Sequence, residues 1–264
     1  MNKQTLFLSL TLSLVFGLFF VGSAKAATFD PNNIISDAEM MDNTSMTLAE
    51  IDLFLKSKGG YIATHQFKNH EGDMKSMAEI IYEAANNYDC EDSNVPDYAT
   101  YEEKRRLCEE VNLNPKALLV MLQKEQSLIE ETNPTQRQLD WALGYGCPDN
   151  QACNKRWEGI GKQINSAALQ FSDYMNKPQN YTYRAGQTYT VTNTGRAPSI
   201  IKPVNQATAS LYNYTPHVYN GNFNFYKLWI KYFTRLYPNN TLVQVKGEPG
   251  VWQIKNGQRR PFLS

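Results

Sequence analysis

An excess of charge of either sign is missing from this chain. Its 264 residues carry 26 basic and 26 acidic side chains, a balance that excludes a nucleic-acid partner held by bulk charge. Histidine is scarce, with three in all. His65 and His70 are not spaced as a helical ligand pair and no third ligand accompanies them, so no metal site is expected. Past residue 26 no stretch is apolar enough to span a bilayer. No internal repeat is visible within residues 27–237, and nothing in the sequence calls for a cofactor or a nucleotide.

What is present at the N-terminus is an export signal. Lys3 supplies the positive charge, Leu6 to Val21 is nearly all apolar, and Ala24-Lys25-Ala26 closes the segment as an A-x-A pattern. A signal peptide is predicted over residues 1–26, placing the protein outside the cell, at its surface or in a periplasm. An uncleaved anchor is the alternative, and would be the only membrane contact. Cleavage after Ala26 takes 26 of the 264 residues and leaves 238; it removes Lys3 and Lys25, so 24 basic residues then face 26 acidic ones.

Four cysteines, an even count in an exported chain, read as two disulfides. Three connectivities are open. Cys90–Cys108 with Cys147–Cys153 is the simplest, and its first bridge ties down the polar segment "CEDSNVPDYATYEEKRRLC".

The pattern predicts a mainly α chain of α+β class. Thr47 with Glu50 and Ser76 with Glu79 are capping boxes ahead of apolar runs. Asn114 followed by Pro115 opens another helix. Trp157, Ile160, Ile164, Ala168, Phe171 and Met175 mark a long amphipathic helix, and residues 205–213 and 223–236 two more. Between them "YTYRAGQTYTVTNTGRAPSIIKPV" reads as a β excursion. After Pro238 two short alternating runs and an Asn256-Gly257 turn predict a hairpin appendage over 238–264, too short for a core of its own. Its abrupt stop suggests a longer protein or an array of such units.

The residue that asks for an explanation is Glu125, in "PKALLVMLQKEQSLIEE". At about 100° per residue it falls along the stripe that runs from Leu118 through Met121 and Leu122 to Ile129. Two readings are open. One is a carboxylate at the margin of the stripe or paired with a Lys or Arg. The other is an acid lining a cleft, where burial keeps a proton on it for a departing sugar oxygen.

These residues resemble a known group. "NPKALLVMLQKEQSLI" is similar to the catalytic helix of the lysozyme-like superfamily of bacterial peptidoglycan-cleaving enzymes, the lytic transglycosylases and endo-β-N-acetylglucosaminidases. There the helix has the form N-P-x-L-L-x-x-I-x-x-E-S and its glutamate is the general acid. Glu125 takes that position; Gln126 replaces the serine, which comes one place later. "ALGYGCPD" resembles the glycine-containing turn that lines their cleft, and "ASLYNYTPHVYNG" their A-x-x-Y-N-x-G segment, whose tyrosine approaches acid and sugar. Tyr212 and Asn213 match; Tyr214-Thr215-Pro216 departs from the usual small residues. The stretch from "FDPNNIISDAEM" to "NFYKLWIKYF" resembles secreted bacterial members of this superfamily, and "VWQIKNGQRRPF" a small repeat of bacterial surface proteins.

The resemblance implies a lysozyme-like domain over 27–237 that cleaves β-1,4 bonds of peptidoglycan, or of a related N-acetylhexosamine glycan, with Glu125 as proton donor. Gln126 could meet an acetamido group, and Tyr145, Tyr212 and Asn213 would line the groove. A two-carboxylate glycosidase needs a second acid about 5–9.5 Å away; Asp140, Asp149 and Glu158 are candidates and none is singled out. The family's single-glutamate route, closed by a muramyl 6-hydroxyl, needs no second acid. Two rivals stand beside this reading. One is a thiol hydrolase built on Cys147 and His217; the other is a wall-binding or adhesion module without turnover.

Overall fold

The computed structural model describes residues 28–90, 95–96, 99–148, 151–234, 240–244, 249–255 and 258–262. The expected signal peptide, Asp149 and the Asn256-Gly257 turn lie outside these residues. Phe29–Thr234 forms one unit, and the chain from Arg235 onward belongs to another.

The first unit is mainly helical, with small separate β pairs. Its helices are α1 (Asp37–Met40), α2 (Leu48–Lys58), α3 (Met77–Ala85), α4 (Tyr101–Leu107), α5 (Pro115–Gln126), α6 (Gln136–Asp140), α7 (Ile160–Asn176), α8 (Gln206–Tyr214) and α9 (Phe223–Phe233). Three antiparallel pairs interrupt them: β1 (Gln66–Lys68) with β2 (Met74–Ser76), β3 (Tyr88–Asp89) with β4 (Glu109–Glu110), and β5 (Tyr189–Asn193) with β6 (Arg196–Ile201). The last pair is the Thr- and Tyr-rich excursion. Five helices open on capping boxes: Ser36/Glu39, Thr47/Glu50, Ser76/Glu79, Thr100/Glu103 and Thr135/Gln138. Each box satisfies N–H groups that the first turn leaves without partners.

α5 is the centre of the unit and packs against α3, α7 and α9. From Ala117 to Leu122 no residue is more than 2 % exposed, so the helix is enclosed on all sides rather than striped. Its N-cap, Asn114, is buried as well. The Asn114 Oδ1 accepts from Lys116 N (2.9 Å) and Ser45 Oγ (2.5 Å), and its Nδ2 donates to Glu39 O at 2.6 Å. One side chain thus caps α5 and ties α1 to it. At the other end Ser127 adopts a left-handed conformation, φ 60°, and ends the helix. Ile129 is buried on the following segment, so the expected stripe does not reach it.

Two other boundaries differ from the sequence reading. Trp157 sits in a separate turn, Lys155–Trp157, because Gly159 at φ 111° breaks the chain before α7. The last long helix stops at Phe233, not 236.

In the second unit β7 (Leu242–Gln244), β8 (Val251–Lys255) and β9 (Gln258–Pro261) form an antiparallel sheet in that order. Ile254 is its buried residue, and Arg259 stacks on Trp252 at 4.9 Å. Among the described residues no helix is long and apolar enough to cross a membrane.

The box at α3 generates a pH-dependent prediction. The hydroxyl of Ser76, then its backbone N–H, holds the Glu79 carboxyl below its ordinary 4.5. A depressed acid stabilises the fold above that value and loses its contribution as pH falls through the folded pKa. Ser76→Ala should cost about 1 kcal/mol at pH 7. In urea denaturation, its deficit against the parent should shrink at pH 3; an equal deficit at both pH values would contradict the assignment.

Candidate functional site

α5 presents two charged side chains in its last turn. The Lys124 ammonium donates to Glu125 Oε1, and also to Thr215 Oγ1 at 2.9 Å. It stands 6.0 Å from the centre of the Tyr214 ring. The Lys124 side chain is 5 % exposed and that of Glu125 is 28 %, so the cation lies deeper than the anion. A buried ammonium is tolerated only where acceptors meet it. Glu125 supplies one through Oε1; its Oε2 takes no hydrogen bond from the described residues. The acid is therefore half-exposed and ion-paired, which is the first of the two arrangements the helical period left open.

Tyr214 stands beside this pair. Its hydroxyl donates to Leu143 O at 2.6 Å, and its ring stacks on Phe171 with centroids 5.0 Å apart. Desolvation of the inward-turned hydroxyl raises its pKa well above 10. The negative charge of Glu125 adds to this, followed by Tyr174 and Tyr145. One ring thus lies in the field of the acid and of a second group of tyrosines.

Tyr145 of that group borders a groove of about 1370 Å³. Its floor is a stripe of α7 in which Lys162, Asn165, Gln170 and Asp173 recur at helical spacing, over a length of about 17 Å. α7 turns Ile160, Ile164, Ala168 and Phe171 inward, which leaves this polar stripe to the groove. Tyr145 and Trp157 form one wall, their rings edge to face at 5.2 Å. Opposite them lie Tyr88, Asp89 and Cys90, held by the β3–β4 pair and by the Cys90–Cys108 disulfide that flanks it. At the far end the Tyr181 hydroxyl donates to Asp173 and accepts from Gln170 Nε2 at 2.9 Å. Burial and then that bond to Asp173 push the Tyr181 phenol up to about 12.

The wall at Tyr145 is fixed from behind by Gln163, which is wholly buried. Gln163 Oε1 accepts from Leu143 N (3.3 Å) and Tyr145 N (3.0 Å), and its Nε2 donates to Tyr145 O (2.9 Å) and Trp157 O (2.7 Å). Gly146, at φ 68°, completes the turn; a Cβ there would overlap the Trp157 indole. The sequence reading passed over Gln163, whose signal was an amide on the inward face of an otherwise apolar helix.

The residues singled out from sequence are divided by the fold. Tyr145 lines the groove. Gln126 is half-exposed, and its backbone carbonyl accepts from Gln138 Nε2 at 3.1 Å. Tyr212 does not line a groove: it is fully buried, and its hydroxyl donates to Pro31 O at 2.9 Å. Asn213 spends its amide on the backbone of Tyr183, accepting from the N–H and donating to the carbonyl, both at 2.8 Å. The tyrosine that approaches Glu125 is Tyr214.

Of the candidate second acids, Asp140 accepts from Gln136 and Glu158 is exposed. The cysteines pair as Cys90–Cys108 and Cys147–Cys153, with none free, so a Cys147 nucleophile is overturned. His217 Nδ1 instead lies 2.9 Å from Thr192 O. His65 stacks on Tyr61 at 3.6 Å, and His70 borders the groove with its pKa lowered by burial.

Gln163→Leu keeps the volume and removes the four hydrogen bonds that the amide makes to Leu143, Tyr145 and Trp157. It should cost about 3 kcal/mol in chemical denaturation, the scale of buried groups left unpaired. An unchanged midpoint would show that the amide does not hold the wall.

No curated protein matches the chain. No solved structure matches it either. The family described as LasA, N-terminal domain, matches residues 33–248, which is more than half of the 264. By that match the chain belongs to the LasA N-terminal domain family.

Proposed function

We propose that this protein is an exported cell-wall glycosidase. It has a lysozyme-like domain over residues 27–237 that cleaves β-1,4 bonds of peptidoglycan glycan strands, followed by the start of a surface repeat over 238–264. The family supports the coarser part, a secreted protein that acts on the cell wall. The match is to an N-terminal domain, so the chemistry rests on this chain's own residues.

The observation that carries the reading is the placement of Glu125. Its half-exposed carboxylate is tied at Oε1 to a buried ammonium, and its Oε2 takes no hydrogen bond from the described residues. It lies near Tyr214, and it is not itself among the residues that line the groove. Aromatic faces and amide side chains such as Tyr145, Trp157 and Gln170 suit sugar rings and their hydroxyls. In the reaction, the proton on the Glu125 carboxyl passes to the glycosidic oxygen as the bond from that oxygen to the anomeric carbon breaks. The anomeric carbon is then captured by a muramyl 6-hydroxyl or by water, whose proton returns to Glu125.

The same ion pair favours a second reading. A glutamate neutralised by its neighbour also suits a module that binds the wall without cutting it.

Mass spectrometry of purified peptidoglycan incubated with the mature protein separates the two. Fragments should appear with the parent and fall by at least about 100-fold with Glu125→Gln, the usual scale of a lost general acid. Anhydro termini would mark the 6-hydroxyl route, and reducing termini hydrolysis. Retained wall binding without fragments from either protein would establish the binding module instead.

A further inference from the structure

The segment after α8 departs from the small residues of the related motif, and the fold gives that departure a use. Thr215 is clamped on three sides. Its carbonyl accepts from His217 N at 2.8 Å and from Asn222 Nδ2 at 3.0 Å. Its amide donates to Leu211 O at 2.9 Å. Its methyl packs against Gly221, where a Cβ would overlap Thr215 Cγ2. The side chain is therefore fixed in one orientation, with Oγ1 turned to the ammonium of Lys124 at 2.9 Å. Lys124 and Glu125 are adjacent on α5 and point about 100° apart, so their contact requires the lysine chain to bend. Thr215, ninety-one positions along the chain, is the group that bends it.

We propose that Thr215 and Lys124 are positioning residues for Glu125: the clamped hydroxyl holds the buried ammonium, and the ammonium aims the carboxylate. This rests on the reading of Glu125 as the acid. Neither residue touches the substrate. Their contribution is to keep one carboxylate oxygen occupied and the other presented in a fixed direction, the kind of alignment on which general acid catalysis depends.

Lys124 is too buried for a clean substitution, so Thr215 is the probe. Thr215→Val keeps the shape and methyl packing and removes the acceptor; Thr215→Ser keeps the acceptor and removes the methyl. The full mature chain is assayed on peptide-free glycan strands of peptidoglycan, following new chain ends, with Glu125→Gln alongside. Thr215→Val should lower kcat by about tenfold with KM within about twofold of the parent, and Thr215→Ser should restore the parent kcat. If Ser is impaired and Val is not, the methyl is what matters and the proposal is overturned. If both match the parent while Glu125→Gln is dead, positioning fails and the acid assignment stands. If Glu125→Gln turns over like the parent, the acid assignment falls and positioning falls with it.

Discussion

A helix enclosed on every side has nowhere to leave its ends unsatisfied, and most of this domain is arranged around that constraint on α5. The core residues from Ala117 to Leu122 exclude water from all faces, so the free N–H and C=O groups of the terminal turns need protein partners. At the start Asn114 supplies them and draws α1 and Ser45 into the same knot. At the end the chain turns at Ser127, and Gln123 Oε1 accepts from Ile129 N (3.1 Å) and Glu130 N (3.2 Å). Lys124 and Glu125 sit in this closing turn, so the candidate acid is held by the same local geometry that ends the central helix.

Local signals in the sequence were legible where an apolar run followed a cap. Thr47/Glu50, Ser76/Glu79 and Asn114-Pro115 each announced a helix that the fold contains. The same kind of cap stands at Ser36, Thr100 and Thr135, yet α1, α4 and α6 have only four, seven and five residues. Helices that short have no room for a repeating apolar face, so periodicity could not find them. The position of Glu125 was legible, but the geometry of its ion pair was not. Adjacent helical residues normally diverge, and the acceptor that turns Lys124 toward Glu125 comes from a distant segment. Gln163 showed as an amide on an apolar helix face, but its partners are backbone atoms, so side-chain pattern could not say what it holds.

The offset between Tyr212 and Tyr214 shows how a motif can be matched and still point to the wrong face. Two residues along a helix turn the side chain through about 200°. At the end of α8 that rotation sends Tyr212 into the core against Pro31 and Tyr214 toward Leu143 and the charged pair. Asn213, between them, braces Tyr183. The end of α8 thus meets the Lys124–Glu125 pair through Tyr214, and helical phase keeps Tyr212 away from it.

The disulfide at Cys90–Cys108 links the groove to the history of the molecule. The central core around α5 uses no cysteine, whereas the wall formed by Tyr88 and Asp89 is a two-residue β pair closed by that one covalent bond. Closing a loop of that size is worth about 3 kcal/mol, far more than so short a pair can supply. The groove wall at Tyr88 and Asp89 is therefore braced by a covalent bond of the kind that persists in an oxidising compartment.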